Sequence, residues 1–360
     1  MMEQIQTEIN PDMLAIAREH RQLTQSQLAS AVGIQQGFIS QLEGGVVKSC
    51  SAEVLKRISD HLSFPVGFFS LRGERLGFGS SALFYRKNGR ALKSLSLQET
   101  RHVSSRVNLH RLAIKRMMDI VDIDAQIRIN KLPEGTTPEA AAAHVRALWS
   151  LPSGAINNLL SYIERSGVIV IECDFADAIA GTSIWYSDLP PIIFVDSNLK
   201  ADRLRFTLAH ELGHLLLHTV PSESMEDEAD AFASSLLLDT NEFFAMASPW
   251  GNRPKLRDFL QARPYWKVSI QAMIERLYRS ERISPEWRRS LYVMISSYGI
   301  RDDAIPFLKE RPSLSSTMFS ASFESAEIAA QILRYPESVI KELFASSEQF
   351  GASRPKLRAV

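Results

Sequence analysis

The sequence predicts a multidomain, mainly α protein: an all-α helix-turn-helix domain, then an α+β domain with a small sheet, then a helical C-terminal region. Three observations carry that reading. The chain has 360 residues, 45% apolar and 23% charged, enough for two or three packed cores. Residues 9–72 read as short helical runs separated by tight turns, and the stretch from 168 to 196 has the β-branched, apolar character of strands. A long apolar helix after it carries two histidines four positions apart.

Charge and cysteine content narrow the function. There are 41 basic and 41 acidic residues, so net charge is zero, and any nucleic-acid contact must come from a local patch. The opening MMEQIQTEINPDML lacks the basic and apolar regions of a signal peptide. No run is long enough to span a membrane, so no membrane partner is expected. Cys50 and Cys173 are far apart and outside any CxxC spacing, which argues against a disulfide framework or a cysteine-ligated zinc. The cytoplasm is the expected compartment.

In chain order, the first helix is expected over 13–20. Thr24-Gln25-Ser26-Gln27 supplies a capping box for a second helix that turns Leu28, Ala29 and Val32 inward. Gly33 ends it, and a third follows at 35–42 with Ile39 and Leu42 as anchors. So short a link is that of a helix-turn-helix, with the third helix as reader. Gln35, Gln36, Ser40 and Gln41 are its exposed positions, side chains able to bond base edges or phosphates, and Gln25 opens the preceding helix. A helical domain used only for protein contacts would share much of this pattern.

The stretch LTQSQLASAVGIQQGFISQLEGG resembles the Xre/Cro type of DNA-binding domain, and the similarity covers about residues 10–70, including a closing helix over 52–62. The resemblance implies that the third helix enters the major groove of a double-stranded operator. Gln35, Gln36 and Ser40 are then base-reading candidates and Gln25 a phosphate contact. The turn Gly44-Gly45-Val46-Val47-Lys48 is less basic than is usual in that family, which weakens the electrostatic share of binding.

Residues 73–136 form a linker and long helix. GFGSSA at 77–82 lacks the strand and acidic residue that a dinucleotide-binding loop requires. Arg86, Lys87, Arg90 and Lys93 cluster around Phe84 and Tyr85 and read as a solvated loop. A helix over 97–121 follows, with Val103, Val107, Leu109, Leu112 and Ile114 apolar, as a spacer or a homodimer contact.

A second domain is expected over 137–300. Thr137-Pro138-Glu139 starts a helix, and another runs to Arg165. VIVIEC at 168–173, then 178–186 and 192–196, read as a small sheet with a hairpin, whose exposed edge could hold an extended peptide. At the centre lies RFTLAHELGHLLLH, residues 205–218. His210 and His214 stand about 40° apart around a helix, so both imidazoles can reach one metal ion. Two neutral imidazoles suit zinc, and Glu211 beside them can take a proton from a zinc-bound water, whose pKa falls to roughly 7. A buried helix with incidental histidines would show the same leucines.

Zinc needs at least one more protein ligand, and the acids Glu226, Asp227, Glu228 and Asp230 are the nearest supply. Asp227 points away from the buried face of its helix, whereas Glu226 and Glu228 flank that face on opposite sides and both stay open. His218 lies about 12 Å of helical rise from His210, too far to share an ion with bonds of roughly 2 Å.

The two motifs together, RFTLAHELGHLLLH and EDEADAFASSLLL, resemble the ImmA/IrrE family of metallopeptidases, often fused to an Xre-type domain. Similarity extends from about 137 to 300. The resemblance implies a thermolysin-like (zincin) site, Glu228 as third ligand, and a protein substrate, characteristically a repressor whose cleavage derepresses stress or mobile-element genes. The aspartate expected four residues after that Glu falls on Phe232, which leaves the support of the zinc ligands in question. Residues 301–360 carry a serine-rich stretch and two expected helices, 323–333 and 337–344, with no catalytic pattern. The competing class is a transcriptional regulator whose zinc domain senses or binds a partner with little hydrolysis.

Overall fold

The computed structural model describes residues 6–76, 96–118, 128–175, 178–185, 189–220, 222–300 and 307–344. The basic cluster at Arg86–Lys93 and Tyr186 lie outside them. The chain divides into two compact units: one contains described residues 6–76, 96–118 and 314–344, the other 128–313. None of the described helices is long and apolar enough to cross a membrane.

The first unit begins with β1 (Gln6–Glu8), α1 (Pro11–His20), α2 (Gln25–Ala31), α3 (Gln36–Glu43), β2 (Ser49–Ser51), α4 (Ala52–Leu62), a 3-10 turn at Val66–Ser70 and α5 (Leu97–Met118). The Thr24 capping box is complete: the Gln27 amide donates to Thr24 Oγ1 at 3.1 Å and the Thr24 amide to Gln27 Oε1 at 2.8 Å. Met13, Leu14, Ile16, Leu28, Ile39, Leu42, Leu55 and Ile58 are buried and lock the helices together. The antiparallel pair β1–β2 was not expected, since three-residue strands are too short to show alternation. On α5, Val103, Val107, Leu109, Leu112 and Ile114 are all buried, and the helix packs on α1. Its apolar face is part of this unit's core rather than a spacer.

The second unit contains α6 (Pro138–Leu148), α7 (Leu159–Arg165), β3 (Ile169–Cys173), β4 (Gly181–Ile184), β5 (Ile192–Asp196), α8 (Ala201–Leu217), α9 (Met225–Leu237), α10 (Thr240–Ala247), a 3-10 turn at Ser248–Trp250, α11 (Leu256–Trp266), α12 (Ile270–Arg279) and α13 (Pro285–Ser297). Strand order is β3-β5-β4. The expected hairpin is β4–β5, with Thr182 opposite Phe194, and β3 runs parallel to β5 with Ile171 opposite Phe194. Being central, β5 is buried at every residue, as its unbroken apolar run requires. Leu204, Leu208, Leu212, Leu215 and Leu216 of α8 join Val170, Ile193 and Val195 of the sheet and Phe232 and Leu236 of α9 in one core.

Residues 307–313 continue this unit. Glu310 pairs with the buried Arg205, Lys309 Nζ donates to the Ser197 carbonyl at 2.7 Å, and the Ser313 hydroxyl donates to Glu164 at 2.7 Å. Then α14 (Leu314–Ser322), α15 (Ala326–Leu333) and α16 (Glu337–Phe344) return to the first unit, where Tyr335 stacks edge-on against Phe68 at 5.2 Å and Glu342 pairs with Arg106. The expected helix over 323–333 starts later, because Ser325 caps it by accepting from the Ile328 amide.

Candidate metal centre

The leucine face of α8 is spent on the core, which turns His210 and His214 toward α9. Gly213 sets the distance between these helices. A Cβ there would lie 2.9 Å from Phe232 Cδ1 and 3.3 Å from Ala229 Cα, so α9 seats this closely only because residue 213 is glycine. The first turn of α9 then passes over the histidines. Glu226 Oε2 is 3.4 Å from His210 Nε2, Glu226 Oε1 is 3.4 Å from His214 Nε2, and the two Nε2 atoms are 3.0 Å apart. Among the described residues, one atom from each of His210, His214 and Glu226 falls within 4.8 Å of the others. One turn further along α9, Asp230 Oδ1 accepts from His210 Nδ1 at 2.9 Å.

The structure thus brings Glu226, and not Glu228, to the two imidazoles. Two positions along a helix turn the side chain by about 200°, whereas four positions turn it by about 40°. Glu226 and Asp230 therefore share the face toward His210. Glu228 faces away, bonded to His218 Nε2 at 3.1 Å and to the Ser224 hydroxyl at 2.6 Å. The four-residue interval that looked unsatisfied at Phe232 runs instead from Glu226 to Asp230. The signal was in the sequence as Glu-x-x-x-Asp, but neither Glu226 nor Asp230 was singled out by it. His218 caps α8 and turns its ring back onto His214.

The charges of the site fit a cation. Burial opposes charge on His210, but its bonds to Asp230 and Glu226 outweigh that and hold its pKa up at about 10. Burial takes His214 down to about 4 against the pull of Glu226. On Glu226 burial is overcome by the two imidazoles, and the carboxylate titrates at about 2. The two imidazoles thus hold the Glu226 carboxylate in its ionised form between them. Glu226 Oε1 and both oxygens of Glu211 are also buried, with the imidazoles and the Ser183 hydroxyl acting on them, a costly condition unless a ligand answers it. Two imidazole nitrogens and one carboxylate are the donor set of a catalytic zinc, which keeps its fourth position open.

Glu211 is fully buried, and burial lifts its carboxyl to about 7, with His210 and the Ser183 hydroxyl pulling the other way. Gly181 makes room beside it. A Cβ there would meet Thr207 Cγ2 at 2.7 Å, the Phe194 carbonyl at 2.9 Å and Glu211 Cγ at 3.4 Å. The small side chains of β4 thus let the sheet lie directly against α8 at the carboxylate. β4 is an edge strand of the three-stranded sheet, and all four of its residues are buried. Tyr265 donates its hydroxyl to Glu242, and His144 is exposed on α6.

In the first unit, Gln35 precedes α3, and Gln35, Gln36 and Ser40 are exposed. Gln25 is half-buried. Its Nε2 donates to Glu43 Oε2 at 2.9 Å and its Oε1 accepts from Gln36 Nε2 at 3.0 Å. Glu43 in turn grips Arg18 at 2.6 and 2.8 Å. A buried ion pair therefore orients the residues that open α2 and α3.

Comparison with known families agrees with both units. No curated protein matches the chain. Residues 163–278 match the IrrE N-terminal-like domain of the M78 peptidase family, and this range includes α8, α9 and the sheet. Residues 14–69 match the helix-turn-helix family. The chain joins a helix-turn-helix region and an IrrE-like peptidase-family region in one polypeptide.

Proposed function

We propose that the chain is a DNA-binding zinc endopeptidase whose substrate is a protein, in the first instance a transcriptional repressor. The observation that carries this reading is the convergence of His210, His214 and Glu226 beside the buried carboxylate of Glu211. Zinc held by those three residues would supply Lewis-acid activation of a peptide carbonyl and of water. Glu211 is the group to take the water's proton and deliver it to the departing amine. Its carboxyl, raised to about 7 by burial, is matched to proton transfer near neutral pH. Asp230 holds His210 with its Nε2 turned to the site. The helix-turn-helix region supports a role at an operator, where a repressor would be met at high local concentration.

The test sets Glu211→Gln against the parent. The amide keeps the side chain's size and both imidazoles, so zinc should stay while cleavage of a repressor from the same genome falls by about 10²–10⁴-fold. His210→Ala should lose both zinc and cleavage. Cut products are mapped by mass spectrometry beside a reporter assay. Normal regulation by Glu211→Gln, with no cut product in the parent, would replace this reading with that of a zinc-dependent sensor.

A further inference from the structure

His218 and Glu228 are not used by the site as described, yet both are bonded to it. The His218 ring is buried, 7% exposed, at the point where α8 ends with φ −110° and ψ 118°. Its Nδ1 lies 2.9 Å from His214 Nδ1, and its Nε2 lies 3.1 Å from Glu228 Oε2. The Ser224 hydroxyl donates to the other Glu228 oxygen at 2.6 Å, and Lys131 Nζ donates to the His218 carbonyl at 2.5 Å. The ring is therefore fixed from the carboxylate side and from its own backbone.

A count of protons gives this chain a direction. His214 turns Nε2 toward His210 and Glu226, so as a neutral ligand it carries its one proton on Nδ1. Two protonated Nδ1 atoms cannot face each other at 2.9 Å, so His218 Nδ1 accepts. A neutral His218 then has its own proton on Nε2, where Glu228 accepts it. Every polar atom along the path is satisfied in this arrangement, and reversing it leaves two donors or two lone pairs in contact. The two histidines of the site are thus supported differently: His210 bonds a carboxylate directly through Asp230, and His214 reaches one only through a second imidazole.

We infer that His218 is the positioning residue for His214, accepting its Nδ1 proton and relaying the hold to Glu228. This rests on the zinc-site reading above. Metal-ligating histidines depend on such outer partners for ring orientation and basicity, and here the partner is a third histidine at the end of the same helix. Glu228 accordingly acts as the anchor of that histidine rather than as a ligand.

The experiment compares the full-length parent with His218→Leu and His218→Gln. Leu removes the acceptor. Gln restores one, since its carbonyl can accept from His214 while its amide donates to Glu228. Zinc affinity is measured by competition with a chelator, and the visible spectrum of the cobalt-loaded protein reports ligand geometry. His218→Leu should bind zinc about 10–100-fold more weakly with an altered cobalt spectrum, and His218→Gln should recover to within a few-fold of the parent. Parental affinity in His218→Leu, or equal weakness in both variants, overturns the inference and leaves the zinc site standing. A parent that binds no zinc overturns both. Should the Leu variant not fold, long-range nitrogen–proton spectra of the zinc-loaded parent decide: a proton on His218 Nε2 supports the relay, and one on Nδ1 overturns it.

Discussion

Asp230 Oδ1 accepts the Nδ1 proton of His210 at 2.9 Å, from one turn beyond the Glu226 carboxylate that faces the same ring. On the zinc-site reading proposed above, the pair makes α9 both ligand and brace. Asp230 is 40% exposed, so its replacement should leave the fold intact while freeing the His210 ring to rotate. Asp230→Ala should weaken zinc binding by about 10–100-fold, measured by chelator competition, with the unfolding temperature of the metal-free protein unchanged. An unchanged zinc affinity would remove Asp230 from the site.

Glu226→Ala should bind less than one equivalent of zinc after dialysis, because it leaves two imidazoles where a stable site needs three protein ligands. Glu228→Ala should keep the full equivalent, at reduced affinity, since it loses only the hold on His218. Elemental analysis of the two variants distinguishes them. The opposite result, zinc kept without Glu226 and lost without Glu228, would restore the third ligand implied by family resemblance.

The features legible in the sequence were those with local signals. Thr24 and Gln27 announced the start of α2, the closing helix over 52–62 is α4 to the residue, and the spacing of His210 and His214 placed both imidazoles on one face. The choice between Glu226 and Glu228 was not legible, because two acids two positions apart differ only in helical phase. That phase is set by how α9 docks, through Gly213 against Phe232. The return of α14 to α16 to the first unit depends on contacts such as Tyr335 on Phe68, which join residues far apart in sequence and leave no periodic trace. The role of α5 was hidden for the same reason: its apolar residues are evident, but not the partner that buries them.

Acid should loosen the first unit. The half-buried His20 lies edge-on to Phe64 and stacked on His102, and desolvation first, then the charges of Arg106 and Arg21, bring its pKa to about 3. His110, fully buried, is brought to about 3 by the same burial with Arg106 and His20 adding to it. In the unfolded chain both return to the ordinary 6.5. The unfolded state therefore binds more protons below pH 6.5, and stability falls as pH drops from there toward 3. Between pH 7 and 5 each histidine should cost about 1–2 kcal/mol. Amide exchange of α1 and α5, corrected for its intrinsic rate, should accelerate accordingly, and His20→Gln should roughly halve the effect. Exchange that does not change over this range would show that these rings are not held neutral.

The last prediction concerns the reading helix. Gln36 donates to Gln25, and Gln25 to Glu43, whose other bonds hold Arg18. Gln25 therefore has one amide hydrogen committed inside the domain, and its oxygen holds the Gln36 amide. Gln35, exposed at the start of α3 with no side-chain cap bond, remains available to a base edge. Replacing Gln35 and Gln36 together by Ala removes groups that can read bases without removing charge, so sequence preference should shrink by about 1–3 kcal/mol per lost bidentate contact while the salt dependence of binding stays as it was. Glu43→Ala acts differently. It leaves the buried Arg18, 5% exposed, with Glu19 at 3.5 Å as its remaining carboxylate, and the lost charge-assisted bonds should destabilise the first unit by about 1–3 kcal/mol, weakening DNA binding with the fold. Footprinting and salt titrations on the full chain separate these outcomes. A Gln35→Ala/Gln36→Ala protein that keeps its operator preference and loses salt dependence instead would place the base-reading contacts elsewhere on the domain.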